Sequence, residues 1–148
     1  MDKEKSPEID AEISFEEIQD QIIEQIKLAR FTIWIAVEWF SDRFLFELLK
    51  AKKTQGLNIQ IVVFDDDINK NSGLKYEQEF EAYLIKPIGK YQKLIQCKFC
   101  VIDLKTVIYG CYNWTDKERW NGEIITVRQD KELAEKFASV FMDCKKIR

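Results

Sequence analysis

Apolar residues recur along this chain at two periods, and the switches between them mark out its elements. Ile18, Ile22 and Ile26, with Ile23 beside them, stand at helical spacing, so they share one face of an amphipathic helix. Ser14 and Glu17 form a capping box at its start, and the pattern ends near Arg30. Residues 31–37 are β-branched and aromatic with almost no polar member, which predicts a strand covered on both faces. Ser41 or Asp42 can cap a second helix with Phe44, Leu45, Leu48 and Leu49 inward, and Gly56 ends it. Residues 57–64 read as a second buried strand. This αβαβ order predicts a parallel strand pair with a helical crossover.

Asp65, Asp66 and Asp67 close that strand, and Asn71, Ser72 and Gly73 form a loop. The spacing over residues 74–85 predicts a helix with Tyr76, Phe80, Tyr83 and Leu84 inward, broken by Pro87 and Gly89. Residues 97–103 and 106–110 then read as two strands joined through Leu104 and Lys105 as a hairpin. Residues 112–122 are polar and aromatic and read as a loop, and 123–128 as a further strand. A last helix is expected over 131–146, capped by Asp130, with Leu133, Ala134, Phe137, Val140 and Phe141 as its apolar stripe. Together these elements predict an α/β fold, a mixed β-sheet flanked by helices. Residues 1–12 are expected to be a flexible tail and 13–148 a single domain.

Composition narrows the function classes. With 23 basic and 26 acidic residues the chain carries a net charge of −3, so any phosphate recognition must come from a local patch rather than the overall field. No apolar run approaches the roughly 20 residues needed to span a bilayer, and the first twelve residues lack the apolar core of a signal peptide. No transmembrane segment and a cytoplasmic location are expected. Cys97 and Cys100 have C-x-x-C spacing, but no second such pair and no histidine exists to complete a zinc site. Thus the four cysteines, Cys111 and Cys144 included, read as buried or free thiols. The run Asp65 to Asp67 offers oxygen ligands but fits a strand end and a turn cap better. No metal and no cofactor are expected.

Candidate chemistry centres on Lys98. An ammonium in an apolar strand is costly unless paired, so Lys98 is either a solvated edge residue or a cation held at the mouth of a site. Gly110 permits close backbone approach, and the Asn113 side chain can donate N–H to a phosphate oxygen. Trp114 and Trp120 follow in the loop as candidates for lining a groove, whereas Trp34 reads as core. Lys50, Lys52 and Lys53, like the Lys145, Lys146 and Arg148 tail, read more readily as solvated charge than as phosphate contacts.

The series Gln96-x-Lys98, four residues, Asp103, then Gly110-Cys111-x-Asn113-Trp114-Thr115 and Glu123 resembles the signature of the phospholipase D superfamily. That signature reads His-x-Lys, four residues, Asp, then Gly-Ser-x-Asn. The likeness is strongest to small members with one motif per chain, which include nucleases, and extends more weakly over residues 14–146. It implies that Lys98 and Asn113 contact phosphate oxygens, that Glu123 orients groups behind the nucleophile, and that Asp103, Gly110 and Cys111 are structural. Asp103 is expected on the strand face opposite Lys98. Gln96 takes the nucleophile's place, and Cys111 stands where a serine is usual.

The chain contains no histidine. A histidine nitrogen can attack phosphorus and also serve as general acid; a glutamine amide is neither basic nor nucleophilic. Cys100 and Cys111 carry thiols, with no general base near them in sequence. Because such sites take two motif copies, the resemblance implies a homodimer with reciprocal contacts, here with two Gln96 side chains. The expected function is a degenerate domain that binds a phosphodiester, from nucleic acid or a phospholipid headgroup, without hydrolysing it. Two alternatives stand beside it. One is an active phosphodiesterase or nuclease completed by a histidine-bearing partner chain, or represented here by an inactivated form. The other is a protein-interaction scaffold that uses the dimer surface.

Overall fold

The computed structural model describes residues 15–86, 98–110, 113–116 and 124–146. Its strands are β1 (Thr32–Ala36), β2 (Asn58–Phe64), β3 (Glu81–Ile85), β4 (Lys98–Ile102), β5 (Thr106–Gly110) and β6 (Ile125–Gln129). The helices are α1 (Phe15–Leu28), α2 (Arg43–Thr54), the single turns α3 (Asp67–Lys70) and α4 (Tyr76–Glu79), and α5 (Lys131–Lys145). The six described strands join one sheet in the order β3-β2-β1-β4-β5-β6. The pairs β1–β2 and β2–β3 are parallel, and β4 runs antiparallel to both β1 and β5, as β6 does to β5. The sheet is therefore mixed and flanked by helices, as the hydrophobic pattern predicts.

Strand alternation divides the core in two. Ile33, Ile35, Ile59, Ile61 and Val63 face α1 and α2, where Ile18, Ile22, Ile26, Leu45, Phe46 and Leu49 are buried. Ala36, Val62, Phe64, Phe99, Val101 and Val107 face α5 and its Ala134, Phe141 and Cys144. Burying each of the three α1 isoleucines contributes roughly 1.5–3 kcal/mol, enough to hold that helix on the sheet. Asp42 and Asp130 cap α2 and α5, accepting from the N–H of Leu45 and Leu133 at 3.0 Å in each case. Gly56 follows α2 with φ +103°, the left-handed conformation that glycine adopts at a helix end. Ser14 and its cap, Pro87, Gly89 and residues 1–12 lie outside the described residues.

Residues 74–85 depart from the helix expected of them. Only Tyr76–Glu79 is helical, and Glu81–Ile85 is the edge strand β3. Tyr76, Phe80 and Leu84 stand four apart and imitate a helical stripe, but the same stretch also alternates. Ala82 and Leu84 join the α1–α2 core, while Tyr83 and Ile85 turn to the α5 core. The free edge of β2 supplies a five-residue parallel ladder, from Gln60↔Glu81 to Phe64↔Ile85, and that pairing overrides local helical preference.

Three further expectations change. Phe44 is 58% exposed and Phe46 takes the inward place, because α2 buries the face of Leu45, Leu49 and Lys52. Trp34 is only partly buried: it stacks on Phe141 at 5.5 Å and donates its indole N–H to Asn58. Lys52 is not solvated but 7% exposed, with its ammonium 3.1 Å from the Lys27 carbonyl. That carbonyl belongs to the last turn of α1, whose C=O groups have no partner within the helix.

Candidate functional site

At one end of the sheet β1 and β2 finish, β4 begins and β5 ends, which is where open α/β sheets tend to form their ligand crevices. Lys98, the first residue of β4, pairs with Gly110, the last of β5. Its side chain is 12% exposed, and the ammonium lies 3.6 Å from Oε1 of Glu38, itself 16% exposed. A cation so far withdrawn from water requires such a partner.

Glu38 is fixed through its backbone. Its N–H donates to Asn113 Oδ1 at 3.0 Å, and its carbonyl accepts from Phe64 N–H at 3.1 Å and Asn69 Nδ2 at 2.8 Å. Asn113 is 6% exposed, and its Oδ1 also accepts from Trp39 N–H at 3.1 Å. Residues 113–116 are sewn further to 39–42: Trp114 N–H donates to the Trp39 carbonyl, and the Trp114 carbonyl accepts from Ser41 and Asp42. The sequence-predicted Lys98 and Asn113 thus meet through Glu38, one at its carboxylate and one at its backbone.

Asn69, 2% exposed, completes the scaffold. Besides Glu38 it donates to the Phe64 carbonyl at 2.7 Å and accepts from Phe40 N–H at 3.0 Å. Neither Glu38 nor Asn69 stands out in sequence reasoning. A carboxylate directly after an apolar strand was a readable signal for Glu38. Asn69, in a polar turn, offered none.

Gly110 has φ +147°, and a Cβ there would lie 2.7 Å from the Ile124 carbonyl oxygen, so the close approach of 124–125 to the end of β5 admits glycine alone. Asp103 lies not on a strand face but in the β4–β5 turn, where Asp103 and Leu104 have φ of 55° and 54°. Consecutive positive φ values belong to the hairpin turn whose twist matches the strands. The Asp103 carboxylate accepts N–H groups from Arg30 at 2.9 Å, Phe31 at 2.6 Å and Thr32 at 2.9 Å. It therefore fixes the entry to β1, at the end of the sheet opposite Lys98. Alternation along β4 stops at Ile102, because the turn claims Asp103.

The acidic run after β2 serves structure. Asp66 caps α3 by accepting from Asn69 N–H at 3.1 Å, and its other oxygen accepts the Trp39 indole N–H at 2.9 Å. Asp65 faces Lys70 and Lys86 at 3.8 and 3.5 Å. Among the described residues no cluster of three or more acidic, histidine or cysteine side chains is arranged for a metal ion.

Trp114 is a core residue that touches a small cavity beside Lys98 and Gly110. It is 2% exposed and packs edge-on against Phe40 at 5.3 Å. Cys100 is fully buried, and desolvation pushes its thiol far above the ordinary range, which removes it as a nucleophile. Lys50 faces Glu47 and Glu79, and Lys53 donates to the Glu79 carbonyl. Gln96, Cys97, Cys111, Trp120, Glu123 and Arg148 lie outside the described residues. Among the described residues no helix is long and apolar enough to cross a membrane.

Solved structures with a similar fold include the following three. NucT from Helicobacter pylori is 20% identical, with a TM-score of 0.67 over 88% of this chain and 89% of that one. Nuc from Salmonella typhimurium, a phospholipase D family member, is 20% identical, with a TM-score of 0.66 over 84% of each chain. TrmBL2, an archaeal chromatin protein with a novel mode of DNA binding, is 15% identical, with a TM-score of 0.60 over 84% of this chain and 47% of that one. A search of curated proteins gives no match. Residues 22–145 match the family model described as "Cardiolipin synthase, PLD-like domain". With that match spanning most of its length and the fold in agreement, the chain belongs to the phospholipase D-like family.

Proposed function

We propose that this chain is a phosphodiester-binding member of its family that does not hydrolyse what it binds. The observation that carries this is the gathering of Lys98 and Asn113 around Glu38 in a chain without a single histidine. Lys98 supplies the positive charge for a phosphate oxygen, and the Asn113 amide is an N–H donor whose carbonyl side is already anchored. Gln96 holds the nucleophile's place in the motif without a nucleophile's chemistry, so a phosphohistidine route is closed. A homodimer formed across this end of the sheet would present two such half-sites and no histidine in either. TrmBL2, described as binding DNA, shares the fold over 47% of its own chain, so nucleic acid is the first source of the diester to test.

The scaffold reading draws on one observation: the charge of Lys98 is already met by a carboxylate. Binding and turnover separate the two. Purified protein in chelator is titrated with a single-stranded oligonucleotide and assayed on bis(p-nitrophenyl) phosphate. Binding weakened by Lys98→Ala, with no hydrolysis by either protein, is the expected result. Hydrolysis by the wild type that disappears in Lys98→Ala would overturn the inactive reading, and the absence of any binding would favour the scaffold.

A further inference from the structure

The carboxylate beside Lys98 is part of the site rather than incidental to it. Glu38 cannot retreat with its backbone, whose N–H and C=O are both bonded, to Asn113, Phe64 and Asn69. Its Oε1 nevertheless stands 3.6 Å from the Lys98 ammonium, beyond the ~2.7–2.9 Å of a tight charged hydrogen bond. Lys98 is therefore balanced but not clamped, and its three N–H donors are not exhausted by one carboxylate at that distance.

We infer that Glu38 is the specificity-determining residue of this site, a fixed negative charge that discriminates against dianionic phosphate and leaves monoanionic phosphodiester tolerated. This rests on the reading of Lys98 as the phosphate-binding cation. Any anion that reaches Lys98 also approaches the Glu38 carboxylate, and Coulomb repulsion scales with the ligand's charge. A phosphodiester carries one negative charge, whereas a phosphomonoester or inorganic phosphate carries nearly two above neutral pH. Both carboxylate and ammonium are largely withdrawn from solvent, so the discrimination is screened less than at an exposed pair.

Calorimetric titration with inorganic phosphate and with dimethyl phosphate tests this, at about pH 8 where the first is mainly dianionic. Glu38→Gln keeps the side-chain shape and removes the charge. It should tighten inorganic phosphate by at least about tenfold and dimethyl phosphate by less. Lys98→Ala in the Glu38→Gln background should cancel both gains. Inorganic phosphate should also raise the melting temperature of Glu38→Gln more than that of the wild type, since a ligand stabilises by occupancy. Equal gains for the two anions, or none, in a folded variant would overturn the inference. Should Glu38→Gln fail to fold, Glu38→Asp withdraws the charge by one methylene, and a smaller change in the same direction is expected; no change overturns the inference. If the wild type binds dimethyl phosphate through Lys98 and the variants shift nothing, this inference alone falls. If neither wild type nor variants bind either anion, the proposed function falls with it.

Discussion

The Asn113 side-chain oxygen sits 3.0 Å from the Glu38 backbone nitrogen, so the residue that resemblance assigns to phosphate also holds the residue that faces Lys98. One asparagine can serve both tasks because its two ends differ: the carbonyl accepts from the scaffold, and the amide carries N–H donors. Asn113→Ala should therefore fail as a fold before it fails as a ligand. Two N–H groups, of Glu38 and Trp39, lose their acceptor, at a cost of about 2–4 kcal/mol together. Urea denaturation measures this, and a loss below about 0.5 kcal/mol would contradict the scaffold role.

Asp103 should matter as much, at the other end of the sheet. Its carboxylate receives three consecutive N–H groups, and its φ of 55° is one that aspartate and asparagine tolerate better than alanine. Asp103→Ala should cost about 2–4 kcal/mol. Asp103→Asn should lose roughly half as much, since one oxygen can still accept from Phe31 and Thr32. Equal losses for the two substitutions in chemical denaturation would refute this account of the turn.

The described thiols should be inert in the native state. Cys100 is sealed in the core with its thiol driven upward by desolvation, and Cys144 is pushed up to about 11 by desolvation and by the nearby Asp143. Near pH 8 very little of Cys144 is then thiolate, and the thiolate share rises steadily as the pH climbs toward 11. Iodoacetamide labelling read by mass spectrometry should leave both residues unmodified until urea is added. Rapid native labelling of Cys100 would restore it as a candidate nucleophile.

Much of this was legible because burial leaves a periodic trace. The three isoleucines of α1, the apolar β1 and β2, the Asp130 cap and a cap of α2 at Ser41 or Asp42 could all be read from spacing, since each element answers to its own sequence; the structure selects Asp42. What was lost depended on partners distant in sequence. β3 is a strand because the edge of β2 is free, and Trp114 is core because Phe40 lies behind it. The same holds for the site. Lys98, Asn113 and Gly110 sit in a recognisable motif, but Glu38 lies 60 residues before Lys98 and acquires its role only when β4 pairs with β1. Asn69 closes its network across two chain reversals that no local pattern encodes.

The last expectation concerns pH. Asp42, 3% exposed, has its carboxyl raised above the ordinary range, chiefly by desolvation. Hydrogen bonds from Leu45, Gln19 and Phe44 oppose that rise, and the charge of Asp116 adds to it. A carboxyl raised in the fold takes up its proton more readily there than in the unfolded chain. Its favourable contribution is therefore complete below the unfolded value, near 3.8, and is lost as the pH climbs through the raised folded value. Asp42→Asn retains an oxygen to cap Leu45 and cannot ionise, and Gln19 can turn its amide to offer an acceptor instead of a donor. The stability of Asp42→Asn relative to wild type should accordingly be most favourable at neutral pH. It should shift back toward the wild type as the pH falls through the raised carboxyl range. Urea titrations at several pH values measure that difference directly. A difference that is flat, or that runs the other way, would mean that the cap's hydrogen bonds outweigh its burial.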